Sequence, residues 1–162
     1  MPKVSFPESE LVRNTFTIRK MDLPPSVQMT KRSMLRWFAL SFGLISEQES
    51  RATVLDVLDG LFYFLLTKQH NPTTKEIQTF VLDKTNKNIS EKLTRYHLNR
   101  LMNVNLILRK RNRYYLNNNP TTEPNNLKES FSHWVKTPIN ESLNSIEEVM
   151  IKLSENYKQR EA

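Results

Sequence analysis

The chain has 162 residues, with 24 Lys or Arg against 17 Asp or Glu, and its net charge is +7. This length allows one domain with extensions. The absence of cysteine excludes disulfides, thiolate metal sites and cysteine nucleophiles. The longest apolar run, Leu61–Leu66, is too short to span a membrane, and no apolar signal segment follows Met1. We therefore expect a cytoplasmic protein with no membrane partner, nucleoid-associated if the cell is prokaryotic.

The positive charge is concentrated in one stretch of the chain. Residues 84–116 contain nine basic residues and one acidic residue, whereas the rest of the chain sums to −1. Such asymmetry points to an anionic partner, and first to nucleic acid. A solvated basic surface that only keeps the protein soluble is the alternative.

The first third of the chain divides into an arm and two helices. Four prolines within residues 1–29 predict an irregular N-terminal arm, either flexible or with a short strand at Phe16–Ile18. A helix is predicted from Thr30 to Ile45, because apolar residues recur there at three- and four-residue spacing. The capping-box pattern Ser46–Glu49 predicts the start of a second helix, apolar around most of its circumference, that ends near Thr67.

Two more helices and a hairpin follow in the basic region. A second capping box, Thr73–Glu76, opens a helix that extends to about Lys84. Ser90 is expected to cap the next helix, which extends to about Asn103. Strand-forming residues on both sides of a tight Arg111-Asn112 turn then predict a β-hairpin over residues 106–116.

The C-terminal region changes character after the hairpin. Residues 118–137 are predicted to be a polar linker with a short amphipathic piece. From Pro138 onward, apolar residues repeat at spacings of 4, 3, 4, 3 and 4, which is typical of a coiled coil. We expect residues 138–162 to form a dimerisation helix, with packing inside one chain as the alternative and the direction of pairing open. The predicted dimerisation residues are Ile139, Leu143, Ile146, Met150, Leu153 and Tyr157.

The predicted elements follow the order helix, helix, turn, helix and basic hairpin. Within them, the run His97-Leu98-Asn99-Arg100-Leu101 is followed by Asn105-Leu106-Ile107. This arrangement resembles winged helix-turn-helix transcriptional regulators of the archaeal and bacterial repressor type. The resemblance covers residues 47–117. It implies a mainly α fold with a small β-hairpin: a winged-helix domain over residues 30–117, with an added N-terminal helix and a C-terminal amphipathic, coiled-coil-like helix. Asn105 stands where the family usually has Gly, a change that is tolerable because Asn accepts positive φ.

The expected partner is double-stranded DNA, bound by a homodimer with regulation of transcription as the outcome. Arg and Asn are suited to paired hydrogen bonds with guanine and adenine edges, and Lys and Tyr to phosphates. The predicted recognition-helix contacts are Ser90, Lys92, Arg95, Tyr96, Asn99 and Arg100. The predicted wing contacts, with phosphates or the minor groove, are Arg109, Lys110, Arg111 and Arg113.

The residues that enzymes need are scattered or missing. His70, His97 and His133 are far apart in sequence and predict no metal site, and two glycines cannot build a phosphate-binding loop. Asp56 and Asp59 fit a solvated helix face. We therefore expect no enzyme activity, catalytic residue, cofactor or small-molecule effector. Two alternatives remain open: a winged-helix module that binds or assembles with an acidic protein, and a basic factor associated with replication or RNA.

Overall fold

The computed structural model describes residues 7–46 and 53–159, and the fold there is mainly helical with one two-stranded antiparallel sheet. Among these residues, no helix combines the length and the apolar character needed to cross a membrane. The helices are α1 (Lys31–Ser41), α2 (Thr53–Phe62), α3 (Thr74–Thr85), α4 (Glu91–Asn103), α5 (Leu127–Phe131) and α6 (Thr137–Gln159). The strands are β1 (Ile107–Lys110) and β2 (Arg113–Leu116).

Helix α1 begins at a side-chain cap and ends at a glycine with positive φ. The Thr30 hydroxyl accepts a hydrogen bond from the amide of Ser33 at 3.1 Å, which satisfies one of the free amides of the first turn. Gly43 then adopts φ +65°, a conformation that glycine takes without steric cost, and the helix stops. The helix is shorter than the predicted span to Ile45 because Leu44 and Ile45 turn back into the core, where both are buried.

Helix α2 is the central element of the fold. Every residue from Val54 to Leu61 is buried, and a π turn (Tyr63–Thr67) continues the helix to the predicted end. The predicted capping box Ser46–Glu49 extends beyond Ser46 into residues 47–52, which lie outside the described residues. The interpretation of Asp56 and Asp59 as a solvated face is wrong, because both are at most 7% exposed.

The two aspartates are buried because cations from neighbouring helices reach them. Asp56 pairs with Arg32 of α1 at 2.8 Å, and Asp59 pairs with Lys31 at 3.3 Å and Lys84 of α3 at 2.5 Å. Burial by itself raises the pKa of Asp59, but the hydrogen bonds and charges of the two lysines outweigh it, and the net pKa lies below its usual value. These pairs tie α1 and α3 to the central helix.

The N-terminal arm follows the surface of the helical core. Within the described residues it contains two 3₁₀ turns, Pro7–Leu11 and Pro25–Met29, and no strand at Phe16–Ile18. The Trp37 indole donates to the carbonyl of Asp22 at 2.8 Å, which fixes the second half of the arm against α1.

The C-terminal helix begins earlier than Pro138. Helix α5 and a π turn (Ser132–Lys136) match the predicted amphipathic piece, and the backbone remains helical into α6. Proline has no amide hydrogen to donate to the preceding turn, and a wider turn lies just before Pro138. Val135 is buried, and the Trp134 indole donates to the carbonyl of Asn118 at 3.0 Å. Helix α6 itself has no buried residue.

Candidate nucleic-acid interface

Helix α4 holds one side in the core and presents the other, mostly polar side to solvent. Leu98 and Leu101 are fully buried, and Thr94 is buried with its hydroxyl bonded to the carbonyl of Ser90 at 2.9 Å. The Ser90 hydroxyl caps the helix by accepting from the amide of Leu93 at 3.1 Å. Ser90 therefore has a structural task in addition to its predicted place at the interface.

Four of the predicted recognition residues share the solvent face of α4. These exposed residues are Lys92, Arg95, Tyr96 and Asn99. Arg95 is paired with Glu91, one helical turn earlier, at 2.6 Å, and both side chains are about half exposed. An exposed pair of this kind is worth little, about 0.3–0.5 kcal/mol, so a phosphate or a base edge can replace Glu91 as the partner of Arg95.

Arg100 differs from the other predicted recognition residues because it turns into the fold. Its guanidinium donates to the carbonyl of Leu44 at 2.6 Å and to the carbonyl of Gly43. Arg19 of the arm reaches the same corner and donates to the carbonyls of Leu40 and Ile45, at 3.0 and 2.7 Å. Two guanidinium groups thus bind the carbonyls at the end of α1 and in the turn that follows it. We assign Arg100 to positioning α4 against α1.

The hairpin turn points two cations into solvent. Arg111 and Asn112 both have positive φ, at 50° and 65°, which is the two-residue turn that matches the twist of paired strands. Lys110 pairs with Arg113 across the last register position before the turn. Lys110 and Arg111 are both exposed at the tip.

The other two wing arginines make contacts within the fold. Arg109 lies over the ring of Tyr114 at 5.5 Å and donates to the side chain of Asn112 at 3.4 Å. Arg113 donates to the carbonyl of Asn71 at 2.8 Å and to the Glu76 carboxylate at 3.3 Å. Half of the predicted wing cations therefore hold the hairpin in place, and the other half are available to a ligand.

The hairpin is fixed to the start of α3, a contact that sequence reasoning missed. The amide of Tyr114 donates to the carbonyl of Pro72 at 2.8 Å, and Thr73 forms a β-bridge with Arg113. Tyr114 is fully buried, with its hydroxyl 3.2 Å from the hydroxyl of Thr74. Residues two apart in a strand share a face, so pairing Tyr114 with Leu116 on the core face is the signal that could have placed Tyr114 in the core.

Glu76 supports this junction through its charge. Burial raises the pKa of Glu76, but the hydrogen bond and charge of His70, the amide of Thr73 and the charge of Arg113 together lower it below its usual value. The carboxylate is therefore ionised at neutral pH, and it lies 2.7 Å from Nε2 of His70. It provides the countercharge for Arg113 at the base of the hairpin.

A groove of about 750 Å³ opens beside this junction and is the main competing site among the described residues. Its aromatic floor is formed by Tyr63, Phe64 and Phe80. Its polar residues His70 and Glu76 bond to each other. Within residues 7–46 and 53–159, no three His, Asp or Glu side chains converge as metal ligands would.

The predicted dimerisation residues form one exposed stripe on α6. Leu143, Ile146, Met150 and Leu153 are 49–61% exposed, Tyr157 is 69% exposed, and Ile139 is half-buried. Apolar residues at helical spacing normally face a core, so the exposure of this stripe calls for an explanation, and exposed apolar patches commonly mark interaction sites.

The fold and this interface were compared with known proteins. No family model, no curated protein and no solved structure matches the chain.

Proposed function

We propose that the protein binds double-stranded DNA with sequence preference and regulates transcription, using residues 30–117 as a winged helix-turn-helix domain with an added N-terminal helix. Three helices followed by a hairpin that is bonded to the start of α3 support the winged-helix assignment. Helix α4 would enter the major groove and the hairpin would follow the backbone.

The observation that carries the proposal is the position of the exposed cations. Lys92 and Arg95 lie on the exposed face of α4, and Lys110 and Arg111 lie at the hairpin tip. Glu91 is the single acidic residue of the 33-residue stretch that contains them. A B-DNA duplex carries one negative charge per about 1.7 Å of its axis, so it is the partner that this arrangement fits best. Asn99, on the same face of α4, supplies an amide suited to an adenine edge.

Pairing of two chains through α6 completes the proposal. A homodimer would present two α4 helices to successive turns of a duplex, and it would prefer near-palindromic sites. The exposed stripe on α6 supports the pairing, and the neutral face of its core positions fits a second copy of the same chain.

Binding to a random duplex at several salt concentrations tests the proposal against its rivals. We expect log K to fall steeply with log [salt], by about 0.9 for each phosphate contacted. Selection of bound fragments from a random duplex pool should then enrich one motif. Absence of binding at low salt would favour an acidic protein partner. A preference for RNA or single strands over duplex would favour the role in replication or RNA metabolism.

A further inference from the structure

We propose that α6 pairs antiparallel with α6 of a second copy of this chain, in a register centred on Glu148; this inference rests on the paired DNA-binding function above. The stripe on α6 is narrow, which is typical of a helix that meets one partner helix rather than a broad core. Among the described residues, no member of the stripe is buried by its own chain, and Ile139 at the start of α6 is half-buried. A second copy is therefore the occupant we assign.

The spacing of the stripe reads the same in both directions. Its residues are separated by 4, 3, 4, 3 and 4 positions, so two antiparallel copies centred on Glu148 bring every member opposite a partner. Ile139 would face the partner's Tyr157, Leu143 the partner's Leu153, and Ile146 the partner's Met150. Each branched isoleucine would thus meet a longer unbranched or aromatic side chain, an arrangement that fills space between helices well.

Parallel pairing fits the same residues less well. It would place Ile139 and Ile146 opposite their own copies at the d core position, with Leu143 opposite its copy at the a position. Leucine at a with isoleucine at d shifts parallel coils away from two strands towards three or four. The identity of the core residues therefore favours antiparallel pairing for a dimer.

Of the residues that flank the stripe, some favour antiparallel pairing and others oppose it. Antiparallel pairing would bring Val149, which is 56% exposed, beside the partner's Val149 and so extend the apolar contact. It would also bring Glu147 beside the partner's Glu147 on the opposite flank. Both carboxylates would stay at the solvated edge, where salt screens their repulsion. The buried layers outweigh this one exposed pair.

The exposure of the stripe sets the apolar area that pairing of two copies would bury. Complete burial of an aliphatic side chain removes about 60–120 Å² from water. Apart from half-buried Ile139, the stripe residues and Val149 are about half to two-thirds exposed. Pairing of two copies would therefore bury on the order of 700 Å² of apolar surface, and the backbone and polar flanks add to it. Specific interfaces begin at about 1,200 Å² in total, so we expect a dimer of moderate affinity.

Antiparallel pairing also separates the two domains. Ile139 and the partner's Ile139 would lie 18 helical positions apart along the pair, or about 27 Å at 1.5 Å per residue. Half-sites on successive turns of DNA are about 34 Å apart, a separation of the same scale. Parallel pairing would bring the two helix starts to within about 10 Å.

The lack of cysteine in the chain makes the orientation testable by disulfide formation. Leu143→Cys and Leu153→Cys are made separately in the full chain, at two exposed positions where neither change affects the core. Each variant is oxidised alone and as an equimolar mixture, and the unsubstituted chain is the control. Sedimentation equilibrium of the unsubstituted chain gives the mass, expected to be twice 19.2 kDa.

We expect disulfide-linked dimers in the mixture and few in either variant alone, because residues 143 and 153 face each other only across antiparallel helices. Equal crosslinking of each variant with itself would overturn the proposal in favour of parallel pairing. A monomeric mass, or no crosslinking in any sample, would overturn pairing through α6 altogether. DNA binding by single domains is measured separately and can survive either result.

Discussion

Arg111 and Arg113 lie two residues apart in one hairpin and make different contacts, so they form a matched pair of tests. Arg111 points into solvent at the turn. Arg113 donates to the Asn71 carbonyl and to Glu76. If the tip contacts phosphates, Arg111→Ala should weaken DNA binding through charge. Arg113→Ala should act mainly through the stability of the hairpin.

The salt dependence separates these two effects. One phosphate contact contributes about 0.9 to the slope of log K against log [salt]. A fourfold rise in salt, from about 50 to about 200 mM, therefore costs about 3.5-fold in affinity for each contact. For Arg111→Ala, the loss of affinity over the same rise in salt should be smaller by one factor of about 3.5. Arg113→Ala should keep the slope and lower the free energy of unfolding by roughly 1 kcal/mol, since its partners are partly exposed.

Fluorescence anisotropy with a labelled random duplex, at four or more salt concentrations, gives the slopes for both variants. Thermal unfolding followed by circular dichroism gives their stabilities. An Arg111→Ala protein with the slope of the unsubstituted chain would refute the assignment of the tip to phosphates. A slope reduced equally in Arg113→Ala would show that the fold contacts of Arg113 do not keep it from DNA.

Three further changes test other contacts. Arg95→Ala should weaken the binding free energy for the preferred DNA site by about 1–3 kcal/mol, because a paired contact to a base edge is lost. A fragment-selection assay should then show relaxed selection at one base position, and an unchanged motif would contradict the assignment. Arg100→Ala should lower the free energy of unfolding by about 1–3 kcal/mol in denaturant titrations, because the Gly43 and Leu44 carbonyls lose their donor, and Lys at this position should not restore both bonds. Asp59→Asn should destabilise the fold by about 1–2 kcal/mol at neutral pH, with exposed Asp83→Asn as the control. Because the pKa of Asp59 is lowered from 3.8 in the folded chain, its stabilisation is complete well above that pH and is lost as the pH falls through the lowered pKa; a Tm difference between Asp59→Asn and the unsubstituted chain that persists in strong acid would contradict this.

Local signals in the sequence predicted the helix and turn boundaries well. Thr73 caps α3 by accepting from the amide of Glu76 at 3.2 Å, as the capping box predicts. Asn105 has a φ of 65°, and Arg111 and Asn112 form the predicted tight turn. Each of these features depends on a few adjacent residues, so the information is present in a short stretch of sequence.

The partners of long charged side chains could not be predicted in the same way. Helical spacing places Arg100 towards solvent, but its flexible stem reaches carbonyls 56 and 57 residues earlier in the chain. Asp59 looked like part of a solvated face because nothing in its own helix shows that Lys31 and Lys84 converge on it. A partner that comes from another helix depends on the tertiary arrangement, which periodicity along one helix does not contain.

The same limit applies to the hairpin cations. In the sequence all four form one group, because they lie close together and are alike in charge. The structure separates Lys110 and Arg111 from the other two. Strand pairing places Arg109 on the face of buried Tyr114, and the bridge to Thr73 holds Arg113 against the fold. Telling the two pairs apart requires knowing where the loop before α3 lies in the fold.

Arg111 has a left-handed backbone conformation, which disfavours folding, and a cation, which favours the proposed binding to DNA. A side chain at positive φ costs roughly 1–2 kcal/mol, whereas glycine adopts that conformation freely. Selection for a stable hairpin alone would therefore favour glycine at the first turn position. The arginine keeps a cation at the farthest point of the hairpin at the expense of local strain, and a change to glycine would alter folding and DNA affinity with opposite signs.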